Sequence, residues 1–85
     1  MKLRIRYFAS LREAFGMESE ELELPDEVTT VGALRGWLAA RGGIWAEQMA
    51  PGRPVRAAVQ QRMVTADAEL VAGGEVAFFP PVTGG

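Results

Sequence analysis

An α+β domain, with one principal helix packed on one face of a mixed sheet of four or five strands, is the fold class this sequence predicts. Three observations lead there. Residues 2–8 (KLRIRYF) alternate with period two, as a strand with one buried face does. From Thr30 the apolar positions change to helical spacing, with Val31, Leu34, Leu38 and Arg41 on one side. Residues 75–79 (EVAFF) read as a last strand, stopped by Pro80 and Pro81, which cannot donate to a sheet ladder. One helix and several strands in a short chain must bury their apolar faces against each other, which makes two layers.

In the first strand Leu3, Ile5 and Tyr7 point to the core, while Lys2, Arg4, Arg6 and Phe8 point away. A helix of barely two turns fits ASLREAFG, with Ser10 as its N-cap and Gly16 as its stop. Residues 18–24 (ESEELEL) read as a second strand closed by Pro25 and Asp26. Their acidic side chains suit cross-strand pairing with the arginines of the first, on a solvated face.

Thr30 is the expected N-cap of the long helix, and Gly42-Gly43 its left-handed stop. Gly32 and Gly36 inside it each cost up to ~1 kcal/mol relative to alanine, so tertiary packing has to hold it. Small residues there signal close approach to a neighbouring element. Residues 44–49 add a helical turn before the proline-rich stretch 51–54. Residues 56–60 and Met63-Val64 then form a hairpin around Gln60, Gln61 and Arg62, and Gly73-Gly74 is the turn into the last strand.

The 85 residues suffice for one domain that hides roughly 60–65% of its unfolded surface. Hydrophobic residues make up 48% of the chain, which favours a folded core over disorder. Cysteine and histidine are both absent. That excludes disulfides, thiolate or zinc sites, Ser-His and Cys-His nucleophiles, and the usual base near neutral pH. Chemistry here must use carboxylates, amines, hydroxyls or the chain terminus. A net charge of −2 argues against a nucleic-acid partner. No apolar run approaches ~20 residues, and the first ten lack a signal peptide's apolar stretch, so a cytoplasmic protein is expected.

The division expected is a domain over residues 1–79 and an extended tail over 80–85. The tail reads Pro80, Pro81, Val82, Thr83, Gly84, Gly85. Prolines keep it extended, and six residues at ~3.1–3.4 Å each reach roughly 20 Å. A Gly-Gly end lacks Cβ atoms, so it can thread a channel closed to other residues. Taken alone, such an ending is equally consistent with a frayed terminus.

Three blocks decide between these. The ending EVAFFPPVTGG (75–85) resembles the C-terminus of the molybdopterin synthase small-subunit (MoaD) family, YFASLREAFG (7–16) resembles its first strand and helix, and AAVQQRMV (57–64) its central hairpin. The likeness covers the whole chain in order. Gln60 stands where asparagine is expected and Gly74 where an acidic residue is common. Both lie in turns.

The resemblance implies a β-grasp (ubiquitin-like) fold and a sulfur carrier whose working group is the Gly85 carboxylate. An ATP-dependent adenylating enzyme activates that group, a separate donor converts it to a thiocarboxylate, and the tail delivers sulfur to a cyclic pterin precursor in the large subunit. It further implies no bound cofactor, catalytic side chains on the large subunit, and a heterotetramer. Phe8 and Phe79, on neighbouring first and last strands, with Met63, are expected to form an apolar docking patch, whereas Arg6 and Arg12 read as solvated charge. Other readings are a ThiS-like carrier for another pathway, and a ubiquitin-like modifier or interaction domain. A free-standing enzyme fits least, since Thr83 and Glu75 are the polar side chains nearest the end and neither has an identifiable base.

Overall fold

The computed structural model describes residues 1–81. Its elements are β1 (Lys2–Tyr7), α1 (Ala9–Phe15), β2 (Ser19–Glu23), α2 (Val31–Ala39), α3 (Gly43–Gln48), β3 (Arg56–Val59), β4 (Arg62–Val64) and β5 (Glu75–Phe79). The five strands form one sheet in the order β2-β1-β5-β3-β4. β1 and β5 run parallel at its centre, and every other pairing is antiparallel. This is the expected mixed sheet with helices on one face.

The alternation in β1 works as read. Leu3, Ile5 and Tyr7 are buried and meet Val76 and Phe78 of β5, and Val31, Leu34 and Leu38 of α2 close the core from the other side. Fully burying such side chains contributes about 1.5–3 kcal/mol each, which drives the layers together. Thr30 caps α2 by accepting the Ala33 amide at 3.1 Å. Gly32 has the reason anticipated for it: a Cβ there would lie 3.1 Å from the Ala66 carbonyl oxygen, the same oxygen that accepts the Gly32 amide. Gly36 does not, since nothing lies within 4 Å of its added Cβ.

Two caps differ from expectation. Ser10 lies inside α1, whose N-cap is Phe8, because the chain reverses at once at Ala9 (φ 52°) after the last strand residue. α2 ends at Ala39, before the glycines, and Gly42 (φ 79°) starts α3 instead of stopping α2. Arg41 therefore lies beyond the helix. It donates to both Glu20 carboxylate oxygens, at 2.9 and 3.0 Å, and Glu20 also accepts the Tyr7 hydroxyl at 2.7 Å. The Tyr7 ring is buried against Phe15, Trp45 and Phe78. Burial and the adjacent carboxylate push its phenol well above the usual range, so it stays a donor. Among the described residues no helix is long and apolar enough to cross a membrane.

The two departures from the family pattern touch each other. Gln60 and Gln61 form a two-residue hairpin turn with φ 50° and 67°, the left-handed conformations such a turn requires. The Gln60 side-chain oxygen accepts the Glu75 amide at 2.7 Å. That is possible because residue 74 is glycine: a Cβ there would stand 2.8 Å from this oxygen and 2.8 Å from the Val71 carbonyl oxygen. Gly74→Ala is therefore expected to lower stability by about 2 kcal/mol in urea unfolding, the range of an overpacked site. An unchanged midpoint would show that the turn relaxes freely.

Candidate functional site

The outer face of the sheet is built by the residues that β1, β5, β3 and β4 turn away from the core. In the ladder Arg6 stands beside Ala77, Ala77 beside Ala58, and Ala58 beside Met63. One step along, Phe79 stands beside Arg56. Phe8 extends the parallel ladder past its end, because its amide donates to the Phe78 carbonyl oxygen at 3.1 Å. The Phe8 carbonyl in turn accepts the amides of Leu11 and Arg12, so its backbone is held from both sides. Phe8 and Phe79 are thereby brought together beyond the floor formed by Ala58 and Ala77.

The result is an open groove of about 420 Å³ with Arg6, Gln61 and Glu75 along its sides. The Arg6 guanidinium lies 5.0 Å above the Phe8 ring and 3.6 Å from the Glu75 carboxylate. Arg6 is therefore a fixed wall of the groove, where sequence reading gave it only solvated charge. Arg4 pairs with Glu21 at 3.2 Å, as the cross-strand reading anticipated. Arg12 is exposed on α1 and makes no ion pair among the described residues.

Phe8 is 38% exposed and Met63 61%, whereas Phe78, one residue before Phe79, is 1% exposed. The alternation of the first strand places Phe8 on this outer face, as read. Met63 shares the face but does not line the groove; it continues the apolar surface past Ala58. Ala58, Ala77 and Gln61 were not singled out from sequence. The usable signal was two alanines at outward positions of strands, where bulkier side chains are the norm.

The chain leaves this face through Pro80 and Pro81, which are half-buried in a second groove of about 350 Å³ with Ser10, Leu11, Gln48, Pro54 and Val55. Arg35 fixes the wall of that groove. Its guanidinium donates to the carbonyl oxygens of Met49, Ala50 and Arg53 at 2.9, 2.6 and 2.8 Å, clipping the 49–53 turn to α2. The exit of the tail is thus set by packing. Val82, Thr83, Gly84 and Gly85 lie outside the described residues.

Residues 5–85 match the ThiS family. The chain belongs to the ThiS family. Among its relatives, the molybdopterin synthase sulfur carrier subunit of Escherichia coli is 42% identical over 83 residues, 98% of this chain and 99% of that one. A Pyrococcus furiosus protein assigned as subunit 1 of a molybdopterin converting factor superposes with a TM-score of 0.78 at 31% identity, over 96% of this chain and 99% of its own. The complex of subunits 1 and 2 of the Helicobacter pylori molybdopterin-converting factor contains a chain of the same fold, at TM-score 0.68 and 19% identity with full coverage of both.

The two faces of the sheet should separate cleanly in mutants. Phe78→Ala is expected to cost about 3–5 kcal/mol in chemical denaturation, as for a fully buried aromatic. Phe8→Ala removes an exposed ring and one cation–π contact, so it should cost under about 1 kcal/mol. Equal losses would mean that Phe8 is part of the core.

Proposed function

We propose that this protein is the sulfur carrier subunit of a molybdopterin synthase, with the Gly85 carboxylate as its working group. The observation that carries this reading is the parallel β1–β5 pairing, which sets an apolar groove on the same central strand that leads into the Gly-Gly terminus. A docking face and a reactive chain end in that relation suit a protein that presents its terminus to another protein's active site. The 42% identity to a carrier subunit over nearly the full chain supports the same assignment.

A carboxylate is a poor electrophile and must be activated first. In the proposed cycle a partner enzyme uses ATP: a Gly85 carboxylate oxygen attacks the α-phosphorus, pyrophosphate leaves, and an acyl-adenylate results. Sulfide (HS⁻) supplied by a separate donor then attacks the acyl carbon, AMP leaves with the former carboxylate oxygen, and loss of the S–H proton leaves the thiocarboxylate. The large subunit of the synthase accepts the tail and passes its sulfur to a cyclic pterin precursor. No side chain of this chain is assigned a catalytic role. With neither cysteine nor histidine, its terminus is where sulfur can be carried. The carrier docks through Phe8, Phe79 and the alanine floor, with Met63 at the margin, and ATP belongs to the activating partner.

Incubation with ATP, a competent adenylating enzyme and a sulfur donor should raise the intact mass by the exchange of one oxygen for one sulfur, localised to Gly85. No mass change, with an enzyme proven on another carrier, would sink the assignment. Molybdopterin formation on adding the large subunit separates this carrier from one serving another product. Gly84→Ala tests the threading of the tail: sulfur transfer in single turnover should be lost while the unfolding midpoint stays put. Normal transfer would rule out a channel that only glycine can pass.

A further inference from the structure

The chain carries one lysine, Lys2, among nine Lys and Arg residues, so every other basic side chain is a guanidinium. The two cations differ as nucleophiles. Lysine amines have a small deprotonated fraction at neutral pH that attacks acyl groups, whereas a guanidinium stays protonated. Lys2 also lies at the end of the sheet away from the tail. Its carbonyl oxygen accepts the Gly73 amide at 2.8 Å, which sets it level with a residue six positions before Phe79. Past Phe79, Pro80 and Pro81 carry the chain further the same way, beside Val55 and Pro54. Pro81 is eight residues beyond Gly73, roughly 26 Å at ~3.3 Å per residue. Residues 82–85 span at most about 14 Å, and an extended lysine side chain adds about 6 Å, so Gly85 falls short of Lys2. The Met1 amine lies at the same far end, where it donates to the Leu24 carbonyl oxygen at 2.8 Å and stands 3.3 Å from the Glu23 carboxylate.

The exit of the tail is ringed by guanidinium groups instead. Arg53 lines the groove that holds Pro80 and Pro81, Arg56 pairs with Phe79 in the ladder, and Arg12 follows Leu11, a wall of the same groove. All three are exposed. The fold does not demand a guanidinium at these places. Arg12 and Arg56 make no ion pair among the described residues, and Arg53 makes one side-chain hydrogen bond, to Gln48 at 3.2 Å, which an amine could also make. Resting on the carrier reading above, we infer that arginine at positions 12, 53 and 56 determines the chemical selectivity of the activated terminus. It keeps a positive surface at the exit free of amines, so that the Gly85 acyl group is left for sulfur. In the acyl-adenylate, a lysine amine within reach would add to the Gly85 carbonyl carbon, expel AMP and lose a proton. The product is an internal amide, and that chain can no longer carry sulfur. Such a lysine would compete at an effective concentration on the order of millimolar, as groups joined by a short flexible linker do.

The test activates the terminus without any partner enzyme. Full-length chain bearing a small-thiol thioester at Gly85 is held dilute at mildly alkaline pH and followed by intact mass and peptide mapping. Attack by an amine releases the thiol and leaves a chain one water lighter than the free acid. The wild-type thioester should hydrolyse to the acid. Arg53→Lys and Arg12→Lys, both at exposed positions and with unchanged thermal melts, should form internal amide at least about tenfold faster than wild type, mapped to the new lysine. An amide at Lys2 or Met1 of the wild-type chain, formed as fast as in the variants, overturns the inference. Hydrolysis of both variants without internal amide overturns it equally. Thiocarboxylate formation by the wild-type chain with ATP, adenylating enzyme and sulfur donor is scored separately. Its failure removes the carrier and leaves the measured amine geometry standing, whereas variants that ignore their new lysines refute the selectivity and leave the carrier intact.

Discussion

The parallel pairing of β1 with β5 is the constraint on which the rest of the molecule depends. A parallel pair cannot be closed by a hairpin, so the chain between the two strands must cross over. Here it carries every other element in that crossover. The consequence is chemical as well as architectural. The start and the end of the chain become neighbours at the sheet centre, and both strands run in the same direction. They finish together, one in Phe8 and the other in Phe79 followed by the tail. An antiparallel arrangement of these strands would have put the two phenylalanines at opposite ends of the sheet.

A second requirement is that β1 remain seated with the Tyr7 hydroxyl satisfied. The Tyr7 ring is fully buried, and its hydroxyl would cost about 1–3 kcal/mol if left without a partner. Glu20 supplies that partner from β2, and Arg41, between α2 and α3, neutralises Glu20 with a two-pronged contact. The Arg41 guanidinium also lies 4.3 Å from the centre of the Trp45 ring, which stacks on Phe15 at 3.8 Å. Three widely separated segments are thus tied to a single side chain of β1. The same tie keeps α1 and α3 beside the end of β1, and so fixes the shoulder from which Phe8 projects.

How much of this was legible in the sequence depends on the range of the interaction. Alternation in KLRIRYF sorted Leu3, Ile5 and Tyr7 from Phe8, because period two is a local property of a strand with one buried face. Thr30 was legible for the same reason, since its side chain caps a helix three residues away. Ser10 was misread because Phe8 is committed to the β5 ladder, and the helix has to begin right after it through the strained turn at Ala9. Glu20 and Arg41 read as ordinary charges because their partners are 13 and 21 residues distant, and no periodicity marks such a pair. Ala58 and Ala77 were invisible as a site because a depression is defined by what is missing from two strands at once.

These local and distant features bear on one question, namely how a small domain without cysteine or histidine can deliver a reactive group with precision. The ordered part of the domain sets two directions. The groove opens outward from the sheet, and the packing of Pro80 and Pro81 against Leu11, Pro54 and Val55 fixes where the chain leaves the domain. The Arg35 clip holds the latter surface to the long helix, so both directions are referred to the same core. In the carrier proposed above, the groove and the Gly-Gly end act together because one core holds both the sheet face and the point where the chain leaves it.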